Sequence, residues 1–185
     1  MKNLKNRVLI SMPHMQDPYF ARSVVFMCEH NTDGAMGLIV NKPFDQPELK
    51  QLFAKFFKDD DDILKVVPRV HFGGPIMVER GIVLHSSEYQ NSASIEISND
   101  FFLTNSKTIL TDIVQNNGPR HYRLFLGHAG WSPGQLEREI ENGDWLLQET
   151  SPDFVFQMPE RQMWKAAAQS FGIDLSHFSG FGGQA

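Results

Sequence analysis

Only one cysteine, Cys28, occurs in the 185 residues. No internal disulfide can form, and a reducing, cytoplasmic setting is expected. Long hydrophobic runs are missing too. After Lys2, Lys5 and Arg7, the apolar stretch Val8-Leu9-Ile10 falls far short of the roughly 7–15 residues of a signal-peptide core. No window approaches the ~18 apolar residues of a membrane helix, so no membrane association is expected. Positive charge is in deficit, 17 Lys and Arg against 22 Asp and Glu, for a net charge of -5 with His neutral. That excludes a phosphate-tracking surface spread over the whole molecule.

Several chemical signatures are absent. No Gly-x-x-x-x-Gly-Lys loop exists to hold nucleotide phosphates, and in Asn41-Lys42-Pro43-Phe44-Asp45 the Asp stands one place too late for a guanine-reading segment. Gly180-Phe181-Gly182-Gly183 has no following helix to receive a dinucleotide. The nucleophile elbow Gly-x-Ser-x-Gly and the zinc motif His-Glu-x-x-His are both missing. The seven histidines, His14, His30, His71, His85, His121, His128 and His177, are scattered singly. No metal and no cofactor are expected.

What is present is an ordinary globular balance, 41% hydrophobic and 21% charged, with 15 Phe supplying apolar bulk. Residues 7–11 read as a strand. The continuously apolar Val24-Val25-Phe26-Met27-Cys28 suits a strand covered on both faces, where burial would keep the Cys28 thiol protonated and inert. Asn31-Thr32-Asp33-Gly34 is turn chemistry, so residues 24–40 read as a hairpin. Leu49, Leu52, Phe53, Phe56 and Phe57 form the stripe of a helix over residues 47–58, with Asp45 and Glu48 at capping-box spacing. The following Asp59-Asp60-Asp61-Asp62 reads as a solvated loop, since it lacks the Gly and spaced ligands of a calcium site.

Further along, a strand region spans residues 70–86, and residues 93–98 alternate as a strand with one wet face. Ile109, Leu110, Ile113 and Val114 mark a helix with its cap at residues 104–106 and its stop at Gly118-Pro119. A strand over residues 121–126 exits through the glycine-bounded segment 127–131. The next helix has Ser132 as N-cap, Pro133 at the first position, Gln135 closing a capping box and Gly143 as terminator. Residues 144–147 are extended, and a last helix starts near Pro159, carries Met163, Trp164, Ala167 and Phe171, and ends at Gly172. Helices stand singly between groups of strands. The expected fold is therefore α+β, mainly antiparallel strands forming a barrel-like core with a few flanking helices, as one domain over residues 1–175 with a flexible Gly- and Ser-rich tail over 176–185.

Three glycine-pinched segments join polar or aromatic groups to backbone that can approach a ligand closely: residues 29–37, 72–75 and 127–134. Glu29, His30, Arg80, Trp131, Gln135 and Glu137 are candidates to line one groove; alternatively the glycines serve turns, and Trp131 and Trp145 fill the core.

The same segments resemble the AlgH/YqgE family (UPF0301, DUF179), a bacterial group. The likeness rests on Leu9-Ile10-Ser11-Met12-Pro13, Asp17-Pro18-Tyr19-Phe20, Arg22-Ser23, the run from Val24 to Asn31, Gly34 to Pro43, Gly73-Gly74-Pro75, Arg80-Gly81, Val83-Leu84-His85, Gly127-His128-Ala129-Gly130-Trp131 and Gly134-Gln135-Leu136-Glu137. It implies a compact α+β fold with a β-barrel-like core, supplies no catalytic residues, and carries a transcriptional-regulator label. His128 departs from the Tyr more common in the family, and a His can titrate near neutrality.

Direct nucleic-acid binding fits poorly, because the helix of residues 133–142 sets Glu137, Glu139 and Glu141 against Arg138. The expected function is a non-enzymatic binding or interaction protein with an indirect role in transcriptional regulation, its partner a protein or small molecule. The expected ligand- or partner-binding residues are Arg22, Glu29, His30, Asn31, Arg80, His128, Trp131, Gln135 and Glu137. In this reading Arg22 and Arg80 supply positive charge, Trp131 an apolar platform, and Gln135 with Glu137 orienting hydrogen bonds. The alternative is a small hydrolase or transferase using His30 or His128 as base beside Glu29 or Glu137.

Overall fold

The computed structural model describes residues 3–45, 48–52, 67 and 69–173. Nine strands appear in these residues: β1 (Arg7–Ser11), β2 (Val24–Asn31), β3 (Gly34–Ile39), β4 (Val70–Phe72), β5 (Ile76–Ser86), β6 (Ser94–Glu96), β7 (Phe101–Thr104), β8 (Tyr122–Trp131) and β9 (Trp145–Glu149). They form one curled sheet in the order β6-β7-β5-β8-β3-β2-β1-β9, antiparallel throughout, with β4 added parallel to β8. The α+β, mainly antiparallel architecture expected from the sequence is the architecture found.

β8 is the pivot. Its first half pairs with β4 and β5, and residues 129–131 pair with β3. The change of partner coincides with Gly127, at φ +72°, and with a slip in β5 between Ile76 and Gly81. A bulge of this kind sharpens local twist and bends the sheet.

Alternate side chains along β1 and β2 feed two different cores. Val8, Ile10, Val24, Phe26 and Cys28 pack into a cluster that includes Phe101, Phe125 and Met163, whereas Leu9, Val25 and Met27 pack with Trp131, Leu136 and Trp145. Both faces are buried, which explains why residues 24–28 are apolar without interruption. Cys28 is 3% exposed, and burial pushes its thiol far up, so it serves packing as expected. A third cluster packs Val70, Val83 and Leu124 against Ile109 and Ile113 of α1 (Lys107–Val114).

Two further helices complete the frame, α2 (Gln135–Glu141) and α3 (Glu160–Ser170), the second preceded by a π-helical turn over Asp153–Gln157 that the sequence pattern did not announce. Gly143 and Gly172 end α2 and α3 at φ +80° and +73°, as expected of terminators.

Some expectations shift. Residues 48–52 are helical, with the Glu48 N–H donating to Asp45 Oδ1 at 2.9 Å; the remainder of the 47–58 helix, the run Asp59-Asp60-Asp61-Asp62 and the 176–185 tail lie outside the described residues. The strand expected over 93–98 is only Ser94–Glu96, because the chain reverses at Ser98 into β7, leaving Ile95 57% exposed. Thr104 belongs to β7 and leaves Ser106 as the α1 N-cap residue. The segment 127–131 is the second half of β8, since it pairs with β3 instead of looping out. The N-cap of α2 is Gly134, not Ser132, although Gln135 does reach back to accept the Ser132 N–H at 3.0 Å. No helix among the described residues is long and apolar enough to cross a membrane.

Candidate functional site

Strand register assembles the site. His30 pairs with Ala35, and Ala35 with Trp131, which places three side chains in a row on one face of β2, β3 and β8. Helix α2 lies over that row with Leu136 buried beneath it. Buried indoles need a partner for N–H, and here two of them share one: Trp131 Nε1 and Trp145 Nε1 each donate to Glu139 Oε2 at 2.9 Å. The other oxygen, Glu139 Oε1, accepts from Gln135 Nε2 at 2.9 Å, one helical turn away.

The two indoles meet edge to face, with ring centroids 6.1 Å apart, and Phe20 packs against both. Above them opens a hollow of about 460 Å³, whose wall includes His14, Asp17, Phe20, Trp131, Gln135, Glu139 and Asp144. Three carboxylates against one histidine make this hollow acidic. His14 Nε2 lies 3.4 Å from Asp144 Oδ1, and Asp17 Oδ1 accepts the Tyr19 and Phe20 N–H groups.

Of the residues expected from the sequence, Trp131 and Gln135 line the hollow. Trp131 is also a core residue, 6% exposed, so both readings of it hold. His30 and Glu137 are brought together beside it: Leu4 N–H donates to His30 Nδ1 at 3.3 Å, and His30 Nε2–H donates to Glu137 Oε1 at 2.8 Å. Its own main-chain N–H and the His30 proton hold the Glu137 carboxyl below the usual carboxylate range. Both ring nitrogens of His30 are therefore engaged, which makes the pair a staple of α2 onto β2 and leaves no nitrogen to take a substrate proton.

The rest are placed elsewhere. Glu29 pairs with Met36 and Met36 with Gly130, one residue out of step with His30 and Trp131, so Glu29 faces the opposite side of the sheet. His128, three residues from Trp131 on the same strand, faces that opposite side as well, and burial lowers its pKa. Asn31 is consumed by the turn, donating to Glu29 Oε1 and accepting the Asp33 N–H at 2.7 Å. Arg22, at φ +54°, folds its guanidinium over Trp164, 5.8 Å from the ring centroid. Arg80 lies exposed in the irregular part of β5 and is outside the hollow's wall. The positive charge expected from Arg22 and Arg80 is replaced by the negative charge of Asp17, Glu139 and Asp144. The missed residue is Glu139, whose signal was its i+4 spacing from Gln135 and two buried indoles in need of an acceptor.

A second polar cluster was not legible in the sequence. Glu160, at the start of α3, is 7% exposed. Its Oε1 accepts from His71 Nε2 at 2.9 Å and Arg123 Nη1 at 3.0 Å, and its Oε2 from Arg69 Nη1 at 2.6 Å. The two protons of Arg123 Nη1 go to Glu160 and to Val40 O at 2.9 Å, while Nη2 donates to Met158 O at 3.2 Å. The hydrogen bond from His71, its own main-chain N–H and Arg123 hold the Glu160 carboxyl at about 2, against the burial that opposes them.

Burial lowers both His71 and His85 below the ordinary 6.5. His85 is fully enclosed, with Nδ1 donating to Ser86 O and Nε2 accepting from Thr104. A histidine whose folded pKa is depressed takes up protons preferentially in the unfolded chain. Stability is then full above the unfolded value and falls as pH drops below it, by up to about 1.4 kcal/mol per pH unit for each group. Glu160 adds a second loss as pH falls from 4.5 towards about 2. The urea midpoint is expected to be flat above about pH 7 and clearly lower at about pH 5. An unchanged midpoint would contradict the neutral, buried histidines.

Among the described residues, no group of three or more His, Cys, Asp or Glu side chains is placed to hold a metal ion. The family model described as AlgH-like (DUF179) matches residues 8–176. A UPF0301 protein of Pseudoalteromonas translucida is 39% identical over the full length of both chains, and one of Paraburkholderia phytofirmans is 42% identical over 99% of this chain and 96% of its own. The solution structure of the AlgH protein from Pseudomonas aeruginosa superposes with a TM-score of 0.76 at 34% identity, covering 100% of this chain and 97% of that one. A protein of Corynebacterium diphtheriae, 24% identical over 98% of this chain and 94% of its own, shares the fold with a TM-score of 0.73.

Proposed function

The chain belongs to the AlgH-like family, and we propose that it is a binding protein without a reaction of its own, whose protein partner seats a cationic side chain in the acidic hollow beside Trp131. An effect on transcription would then be reached through that partner, not through DNA.

The observation that carries this reading is the Glu139 carboxylate. Among the described residues its hydrogen bonds come from three neutral N–H groups, two indoles and one amide. These orient the charge without cancelling it, at the wall of an open hollow between aromatic rings. A guanidinium or ammonium entering there would gain a charge-assisted hydrogen bond and a ring face together. The acidic excess of α2, with Glu137, Glu139 and Glu141 against Arg138, points the same way.

The test uses N-acetyl-arginine amide, which carries the cation and no carboxylate, titrated into the labelled protein while the three indole N–H signals are followed by NMR. The Trp131 and Trp145 signals should move saturably, with a Kd of about 1 mM or tighter. The Trp164 signal, held on Ser11 O at 2.8 Å, should stay. Glu139→Gln should abolish the response. Equal movement of all three indoles, or an unchanged response in Glu139→Gln, refutes the reading.

A further inference from the structure

The opposite end of β8 carries the opposite charge. Trp131 ends the strand and Tyr122 begins it, up to about 30 Å away at about 3.3 Å per residue. Around Tyr122 lies a separate cavity of about 280 Å³, walled by Arg69, Arg120, His121, Tyr122, Arg123 and Phe156, with His71 and Glu160 at its base. Three guanidiniums face one carboxylate. Glu88, which accepts the Arg120 main-chain N–H at 2.6 Å just outside the wall, offsets one of them. An adjoining hollow of about 610 Å³ that shares Arg69 and Glu160 adds Arg161 and Asp45, which balance each other, so a surplus of one positive charge remains.

We propose that this cavity binds a small phosphate-bearing molecule, with Arg69, Arg120, His121 and Tyr122 as the groups that contact the anion and the His71–Glu160–Arg123 cluster as the frame that positions them. The division follows from which donors are already used. Arg123 spends three of its four Nη protons on Glu160, Val40 and Met158 and is buried, which leaves it little to offer a ligand. Among the described residues Arg69 commits only Nη1, to Glu160, and it keeps its side chain 61% exposed, so the rest of its fork faces the cavity.

The Arg120 guanidinium and the Tyr122 hydroxyl make no hydrogen bond to another described residue. Burial raises the Tyr122 pKa, which keeps its hydroxyl a proton donor. Gln157 Nε2 donates to His121 Nδ1 at 3.2 Å, which leaves the neutral ring's proton on Nε2. Burial and the like charge of Arg69 lower Arg123 against the pull of Glu160, so an arriving anion relieves a repulsion already present. Planar guanidinium forks match the oxygens of a phosphate. His121 lies stacked on Phe156 with centroids 6.2 Å apart, an aromatic wall for whatever body the phosphate carries. This site is independent of the cation hollow: it lies at the other end of the strand and shares no wall residue with it.

The experiment titrates the labelled full-length protein with inorganic phosphate and, separately, with phenyl phosphate, against potassium chloride at matched ionic strength. The expected result is saturable movement of the Arg120, His121 and Tyr122 amide signals with a Kd of about 1 mM or tighter. Arg120→Gln and Arg69→Gln, both at exposed positions, should each weaken it at least about tenfold, the equivalent of about 1.4 kcal/mol. Tighter binding of phenyl phosphate identifies a phosphate ester as the ligand, and equal binding identifies free phosphate. Movement reproduced by chloride, binding unchanged in both variants, or no movement with either phosphate overturns the proposal. A negative result here leaves the arginine-amide titration untouched, and the converse holds as well.

Discussion

Glu160→Ala is expected to lower the unfolding free energy by about 3–5 kcal/mol, because it strands the buried Arg123 guanidinium without its carboxylate. For a chain of this size, each kcal/mol moves the melting temperature by roughly 2–4 °C, so a drop on the order of 10 °C should be seen. The arginine is 7% exposed, and its only carboxylate among the described residues is Glu160. Replacing the carboxylate removes the compensation for a charge that cannot leave. Arg69→Ala makes the contrast. It deletes the 2.6 Å contact from the solvent side, where the arginine is 61% exposed, and should cost less than about 1 kcal/mol. Urea denaturation of the two variants beside the parent is decisive. Equal, small losses would mean that the buried cluster is electrostatically idle. Glu160→Gln keeps the shape and part of the hydrogen bonding, and serves as the readout if the alanine variant fails to fold.

The second large effect concerns Gly74. Its φ is +151°, and a Cβ there would lie 2.2 Å from the His128 carbonyl carbon and 2.3 Å from the Ala129 nitrogen, both main-chain atoms with nowhere to go. Gly74→Ala therefore requires the segment leading into β5 to separate from β8, at the point where β8 changes partners. The expected cost exceeds about 4 kcal/mol, the range of mutations that combine backbone strain with a steric clash. Expression as an insoluble or non-cooperatively unfolding protein is the expected outcome. Gly143→Ala provides the comparison: its φ is +80°, but nothing lies within 4 Å of the added carbon, so it should cost about 1 kcal/mol. A Gly74→Ala protein as stable as Gly143→Ala would show that the close approach is not enforced.

These two positions illustrate how far the sequence could be read. Gly73-Gly74-Pro75 was visible as a place where backbone comes close to something. What it approaches is Gly127 and His128, more than fifty residues away, and the purpose is strand crossing instead of ligand contact. The same holds for His30 and Glu137, singled out as candidates and found 2.8 Å apart, yet with one imidazole nitrogen spent on holding α2 and the other on accepting the Leu4 N–H. The arginines lie outside the hollow's wall for local reasons. Arg22 adopts a turn conformation that lays it on Trp164, and Arg80 rides the slipped part of β5, neither of which has a signature in residue type.

Hydrophobic periodicity and turn chemistry act between near neighbours, and what they control was determined by the sequence itself. The limits of β1, the hairpin of β2 and β3, the inertness of Cys28 and the stop signals at Gly143 and Gly172 all follow from stretches shorter than about twenty residues, and the α+β class from the order in which such stretches succeed one another. The two charged poles needed the folded chain. Glu160 meets His71 across 89 residues and Arg123 across 37, and although Glu139 finds its two indoles only 8 and 6 residues away, on the strands that flank α2, it is the fold that brings His14, Asp17 and Phe20 to them to complete the hollow. Opposite charges drawn together from such distances leave no periodic trace, because strand register and the partner switch at Gly127, and not any local pattern, decide which side chains share a space.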